Sequence, residues 1–591
     1  MRLKGIPFFS CSCLVKSVAI LVTLWIGQAG LWAQGTPADL DSYGGSTALA
    51  CPGGPAPHFY TQKIGDRWWL CTPAGNVFWL RSVYHVDGND DVADYQGNTL
   101  GAVLTAKYGN NSTLWGPVTV ARLRSWGFNG TSEFSISYVL PTTTHPDWTS
   151  TPDSSNPEKM AFTGLIWPAH YARNRNSYAE PVKELVRATN PSVYTGARRN
   201  CMDVFDPNLA QWLRNDLRDY QNPEYTWIRS SHSDYLIGLN IDETDEIFGF
   251  GAGPDFSGFY LGRPDDFSHV HLGWIVLVTS PTQSSGTDAN GNPISYTDTK
   301  VYSKQALSDW LSARYSGDIS LLNQAWGSTY TTFGSNGGWG SGNGLLDEDG
   351  VHSWVPRDFI RMNGAGAAIK QDLDDFLLFF ARQYFSTIQG VLQMEAPGIL
   401  YLGPTNVGSW GAPARRQILQ AAGQYVDVMH LSPIPTQCLS CTDDQARIDF
   451  VAQYGGDKPW VNWETITAQS DSYMSPFEIP ATSAPDAGNQ GNRGQRYQTM
   501  VNQLMDAKDS AGIHHTVGFK WWQYYDGRAQ EANWGLVTLR DNPYDGTSAV
   551  IAPGVDEFGY PTGGERANYG DFISSVRAVN QNIYWYLLSP P

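Results

Sequence analysis

The chain has 591 residues, of which 41% are hydrophobic and 16% charged, and its formal net charge is −18. That length suits one large barrel with insertions, or two or three ordinary domains. The negative excess excludes the basic footprint that duplex nucleic acid requires and argues against docking on anionic lipid. Its 23 tryptophans, within an aromatic content of 13%, offer flat faces with polar tips. Such side chains suit stacking on sugar rings, or the filling of a large core.

At the N-terminus, Arg2, Lys4 and Lys16 precede an apolar run from Val18 to Ile26, and a small-residue region ends near Ala33. This is the pattern of a secretory signal cut close to Ala33/Gln34, and the run is short for a membrane span. The expected mature protein is secreted or periplasmic, with no membrane partner. Export favours oxidised thiols, so Cys51–Cys71 and Cys438–Cys441 are plausible bridges, with Cys201 left over. Residues 34–57, rich in Gly, Pro, Ser and Ala, read as a flexible leader into one domain over 58–591.

Arg67-Trp68-Trp69-Leu70 and Val77-Phe78-Trp79-Leu80 flank Pro73-Ala74-Gly75-Asn76, which predicts a hairpin. The second run continues through Arg81 to His85 as a first barrel strand. Residues 122–127 close a helix at Gly127 and lead into a second strand, and Phe162 to Trp167 reads as a third. Asp206-Pro207 opens a helix with Leu209, Trp212, Leu213 and Leu217 on one face. A buried strand, Tyr235 to Asp242, then runs into a cluster of acids. Loop-rich insertions are expected near 249–300 and 334–350, with helices over 307–315 and 321–326 between them. The clearest helix spans 365–390, striped by Leu373, Phe376, Leu377, Phe380 and Tyr384. Strands follow at 399–403, 426–431, 458–465 and 517–522, then a last helix over 567–586. Eight strands alternating with helices predict an α/β (β/α)8 TIM barrel with long loop insertions, in preference to a doubly wound sheet.

The stretch Lys458-Pro459-Trp460-Val461-Asn462-Trp463-Glu464-Thr465 holds the first candidate for chemistry. The two-residue period of a strand sets Trp460, Asn462 and Glu464 on one face and Val461 and Trp463 on the other. A carboxylate at the C-terminal end of a barrel strand sits where such folds keep their chemistry. Retaining glycoside hydrolysis needs two carboxylates about 5–5.5 Å apart, one to attack the anomeric carbon and one to protonate the leaving oxygen. Glu464 is the expected nucleophile. Its partner is expected from Asp242-Glu243-Thr244-Asp245-Glu246, with Glu246 and Glu243 as the acid/base candidates and Asp242 as a substrate contact or third option. Gly238, Asn240 and Asp242 are expected to face the barrel interior, and Leu239 and Ile241 the helices. For the wall, Asn129, His85, Asn462 and Tyr525 are candidate hydroxyl contacts, and Trp167 a stacking platform. Trp521 and Trp522 leave the eighth strand on opposite faces, so only one of them can line the site. The chemistry calls for no cofactor. The acidic run has no EF-hand spacing, and Cys438-x-x-Cys441 has neither a partner CxxC nor clustered His.

The order of these segments resembles the exported glycosidases of the large retaining barrel clan, most of all the β-agarase family and its β-galactosidase relatives. The residues that carry the resemblance begin with Asp66-Arg67-Trp68-Trp69-Leu70, Trp126-Gly127-Phe128-Asn129 and Asp203-Val204-Phe205-Asp206-Pro207. They continue with Tyr315-x4-Ser320-Leu321-Leu322-Asn323-x2-Trp326-Gly327 and with Lys458-Pro459 before Glu464. Trp521-Trp522-Gln523-Tyr524-Tyr525-Asp526, Trp534-Gly535-Leu536-Val537 and Asp541-x-Pro543-Tyr544 complete the series. The resemblance implies a secreted hydrolase of β-glycosidic bonds in a poly- or oligosaccharide. That family carries Asp-Asn-Glu at the fourth strand, the Glu being its acid/base; ungapped reading here gives Asp242-Glu243-Thr244. Two alternatives to an active enzyme follow from that departure and from the composition. One is a catalytically inactive carbohydrate-binding barrel; the other is a structural surface protein.

Overall fold

The computed structural model describes residues 39–87, 99–109, 112–135, 159–166, 168, 184–185, 201–220, 223–242, 285–287, 293–295, 300–338, 342–347, 367–405, 416–431, 444–465, 490–526, 534–547 and 571–589. The signal run, Cys438, Cys441, Trp167, Glu243 and Glu246 lie outside these residues.

Eight apolar runs become eight parallel strands. In chain order they are Leu80–Val83, Gly130–Thr131, Ala161–Ile166, Leu236–Ile241, Leu400–Tyr401, Met429–Leu431, Trp460–Thr465 and Thr516–Trp521. Each pairs with its sequence neighbour, and the eighth pairs with the first. The remaining seam, between the fifth and sixth, is closed by hydrogen bonds from the N–H groups of Asp427 and Val428 to the Tyr401 carbonyl, at 2.9 and 3.4 Å. The Asp427 carboxylate accepts the Tyr401 N–H in return, at 2.8 Å. Parallel neighbours need crossovers, and helices supply them, so the cylinder is a (β/α)8 barrel.

The helices form for the reasons their sequences carry. Asn208–Arg218 buries Leu209, Trp212, Leu213 and Leu217, and the Asp206 side chain accepts the Asn208 N–H at 2.9 Å. Ile319–Trp326 is capped by Asp318, which accepts the Ser320 N–H, and ends at Gly327 in the left-handed conformation. Ala367–Glu395 runs five residues past the predicted C-terminal end at 390, and Leu373, Phe376, Leu377, Phe380 and Tyr384 are wholly buried. Its last residue, Glu395, accepts Arg214 Nε at 3.1 Å and Arg218 Nε at 2.7 Å, tying it to the helix Asn208–Arg218. Asp203 reaches across the chain to the helix Tyr302–Arg314, accepting the N–H groups of Tyr302 and Ser303 at 2.8 and 3.0 Å. The Asp203-to-Pro207 motif is therefore a structural joint.

Below the barrel lies a four-stranded antiparallel sheet of Ser46–Ala50, Tyr60–Ile64, Arg67–Cys71 and Asn76–Phe78. The predicted hairpin forms its last pair, and a Cys51–Cys71 disulfide holds one edge. Ser46–Ala50 lies within the span read as a flexible leader. It is ordered because it pairs with Asn76–Phe78 and because Asp41 accepts hydrogen bonds from Thr72 and Asn76. Phe59, Leu70 and Phe78 of this sheet pack against Leu80, Ala161, Ile237, Leu402, Val428, Val461 and Val517, an apolar plug in the N-terminal end of the barrel. Gly518 has φ +151°, and a Cβ there would lie 2.4 Å from the Leu80 carbonyl, so close pairing of the first and eighth strands requires glycine. Both expected insertions carry local structure: Ser285–Thr287 pairs with Pro293–Ser295, and Asp347 gathers the N–H groups of Asn336 and Gly344. No helix among the described residues is long and apolar enough to cross a membrane.

Candidate active site

Above the apolar plug the barrel interior turns polar. Lys520 of the eighth strand donates to Glu133 Oε1 at 2.6 Å and to Asn240 Oδ1 at 3.3 Å. Both side chains of the ion pair are wholly buried. Asn240 of the fourth strand donates to the Gly403 carbonyl at 3.0 Å and to His430 Nδ1 at 3.3 Å. With Nδ1 accepting, the His430 proton sits on Nε2, which meets the Tyr84 hydroxyl at 3.1 Å. Ser82 and Ser132 share a 2.6 Å hydrogen bond between the first strand and the residue following the second. Six of the eight strands, or the residues that directly follow them, thus meet in one hydrogen-bonded layer under the barrel mouth.

Burial is the largest influence on the protonation states of this layer. His430 is held well below its ordinary value of 6.5, first by burial and then by the Lys520 charge. Lys520 is also lowered by burial, and Glu133 offsets this in part. The sign for stability follows by linkage. The unfolded chain takes up a proton at His430 below pH 6.5 and the folded chain does not, so stability contributed above pH 6.5 is lost as pH falls toward the lowered folded value. Between pH 7 and 5 the urea midpoint should fall, with a slope of up to about 1.4 kcal/mol per pH unit from this residue. His430→Gln should flatten that dependence; an unchanged slope would show that His430 is not its source.

The fourth and seventh strands end in the residues singled out from sequence. Asp242 closes the fourth with φ +63°, and its carboxylate lies 3.2 Å from the hydroxyl of Tyr384 on the helix layer. It is wholly buried. The expectation that Asp242 faces the interior is corrected here: at this left-handed residue the carboxylate meets Tyr384 of the surrounding helix layer. Asn240 does face inward, as expected. Glu464 is the penultimate residue of the seventh strand; its side chain lies outside the described residues. That strand departs from strict alternation. Val461 points into the plug, Trp460 stacks outside on His515 at 4.4 Å, and the register shifts on both sides of the buried Asn462.

The mouth is aromatic. His85 stacks on Phe134 at 4.7 Å and meets Trp522 edge-on at 4.7 Å, and Trp522 lies 5.3 Å from Tyr84. The opposite-face expectation for the tryptophan pair is resolved in favour of Trp522. Trp521 is core, packed on Tyr497 at 5.3 Å and Phe572 at 5.6 Å.

Two further candidates are corrected. Asn129 sits at the other end of the barrel, with Oδ1 accepting the Arg81 N–H and Nδ2 donating to the Trp79 carbonyl. Tyr525 is buried, its hydroxyl accepting from Trp115 Nε1 at 2.9 Å and donating to Asp541 at 3.2 Å. Lys520, Glu133, His430 and Tyr84 were missed by sequence reasoning. The signal for two of them was present: one charge inside Val517-Gly518-Phe519-Lys520-Trp521, and one imidazole inside Val428-Met429-His430-Leu431. Among the described residues no group of three or more His, Cys, Asp or Glu could hold a metal ion.

Fold and site together define a (β/α)8 barrel of the class whose working groups stand at the C-terminal ends of its strands. The sequence is similar to β-agarase A of Vibrio sp. (strain JT0107), 23% identical over 577 residues, covering 87% of this chain and 47% of that protein. It is likewise similar to β-agarase B of the same organism, 22% identical over 555 residues, covering 82% and 46%. The chain spans about half the length of these curated relatives. Among solved structures, an exo-β-agarase superposes with TM-score 0.60 at 19% identity, over 94% of this chain and 68% of that one. The agarase AgWH50C superposes with TM-score 0.60 at 16% identity, over 94% and 69%. These likenesses bear out the barrel read from sequence. No family model matches the chain.

Proposed function

We propose that this protein is a secreted glycoside hydrolase that cleaves β-glycosidic bonds of a poly- or oligosaccharide of the agarose or β-galactoside type, by a retaining two-carboxylate mechanism. The observation that carries the reading is the position of Glu464 at the C-terminal end of the seventh barrel strand, with an acidic run beginning where the fourth strand ends. Glu464 attacks the anomeric carbon. Glu243 or Glu246 protonates the departing oxygen, then takes a proton from water as the glycosyl-enzyme is hydrolysed. His85 and Trp522 stand at the mouth as a wall for the sugar, and the buried polar layer beneath keeps the strand ends in register. The similarity to two β-agarases supports the substrate class.

The test is the stereochemistry of the first product, followed by proton NMR during cleavage of a β-linked oligosaccharide. The expected first-formed anomer is β. An α anomer would mean direct attack by water and would remove Glu464 from the nucleophile role. Glu243→Gln and Glu246→Gln separate the acid candidates. The true acid/base variant keeps most activity on aryl glycosides with good leaving groups and loses it on unactivated sugars.

A further inference from the structure

At the N-terminal end of the barrel, away from the strand ends that the proposed chemistry uses, lies a cavity of about 340 Å³. Arg81 of the first strand, Arg124 in the last turn of the helix Ser112–Ser125, Phe128 between that helix and the second strand, Tyr43 of the leader and Tyr584 of the last helix line it. Arg81 is 3% exposed. Its guanidinium stacks over the Tyr584 ring at 4.9 Å. Among the described residues its Nη1 donates to the Asn580 carbonyl at 3.3 Å, and the Tyr584 hydroxyl gives it a second, neutral polar partner. Nε is buried with no acceptor among the described residues. No carboxylate pairs with it among the described residues. Asp41 also lines the cavity, but its two oxygens are taken by the N–H groups of Tyr43 and Gly45 and by the side chains of Thr72 and Asn76. A buried guanidinium left without counter-charge is costly, and its planar fork matches the oxygens of an oxyanion.

We infer that this cavity is a binding site for a small oxyanion, of the sulfate, phosphate or carboxylate type, with Arg81 as its anchor and Arg124 as a second cation on the wall. The volume exceeds what a bare anion fills, and Tyr43, Phe128 and Tyr584 give the remainder an aromatic lining. The site is separate from the proposed active site, so its occupancy alters stability and leaves turnover on a neutral oligosaccharide unchanged.

The probes are inorganic sulfate in solution and selenate in crystals of the full chain. Sulfate should raise the melting temperature saturably over sodium chloride at equal ionic strength. Arg81→Met should weaken sulfate binding, measured by calorimetry, at least tenfold and abolish the saturable rise. Anomalous scattering from selenate should place the anion within hydrogen-bond distance of Arg81. Sulfate binding that is as tight in Arg81→Met as in the wild type, or selenate found only outside the cavity, would overturn the assignment. If Arg81→Met does not fold, the selenate position and the wild-type titration decide alone. A carboxylate arm with acetate separates a general oxyanion site from one that requires a tetrahedral anion.

Discussion

Glu464→Gln should abolish hydrolysis while leaving the fold and the sugar affinity in place. The substitution keeps the volume and hydrogen-bonding reach of the side chain and removes its charge and its nucleophilicity. Loss of a covalent nucleophile costs on the order of 10³-fold or more in kcat, because the interaction exists only on the way to the transition state. Substrate affinity, read by calorimetry on the inactive variant, should change by less than about tenfold, since ground-state contacts elsewhere in the cleft remain. Glu464→Gly supplied with azide should form a glycosyl azide of inverted configuration, because the small anion enters from the face the carboxylate held. A Glu464→Gln protein that retains more than a tenth of wild-type turnover would end the two-carboxylate reading. A protein that binds saccharide and shows no turnover in its wild-type form would instead favour the inactive binding barrel.

Asp541→Ala should be among the most destabilising single changes outside the core. Asp541 is wholly buried in the loop after the eighth strand. It accepts Arg122 Nη1 at 2.7 Å, the Tyr108 hydroxyl at 2.7 Å and the Tyr525 hydroxyl at 3.2 Å. Burial pulls the Arg122 guanidinium down, but Tyr524 and Asp541 outweigh it and hold the group above its ordinary value. Arg122 lies on the first barrel helix, Ser112–Ser125, so this cluster locks the last loop to the start of the barrel. Removing the carboxylate leaves the partly buried Arg122 without its nearest counter-charge, at a cost of about 3 kcal/mol, the low end for a buried pair. Asp541→Asn should cost less, since asparagine tolerates the φ of +55° found there and keeps one acceptor. Denaturant melts measure both. In a double-mutant cycle, Asp541→Ala should cost clearly less once Arg122 is Met, the remainder being the Tyr108 and Tyr525 hydrogen bonds and the φ of +55°. A single-variant loss below about 1 kcal/mol would mean that the cluster is ornamental.

This cluster also explains part of what the sequence motifs meant. Asp541-x-Pro543-Tyr544 and Trp521-to-Asp526 resemble a glycosidase's eighth strand and loop, and the natural inference assigned Tyr525 and one tryptophan to the sugar. In the fold, Asp526 accepts the Gly535 N–H at 2.8 Å and the Tyr544 hydroxyl at 2.5 Å. Most of the motif therefore holds the loop, while Trp522 joins the mouth cluster with Tyr84, His85 and Phe134, and Trp534 packs against it.

Local sequence determined the elements. Apolar runs of strand length separated by helical periods specify a (β/α)8 barrel, because each period must bury its face against a neighbour. Capping residues such as Asp318 and Gly327 set helix ends from contacts within a few residues. Tertiary structure alone decided which polar side chains share a layer. Lys520, Glu133, Asn240 and His430 are up to 387 residues apart in sequence, and only closure of the cylinder brings them within hydrogen-bond reach. It also decided orientation at the strand ends, where the backbone turn at Asp242 and the register shifts around Asn462 override the two-residue period. Parity holds only while the backbone stays extended, and the ends of strands, where function collects, are where it stops being so.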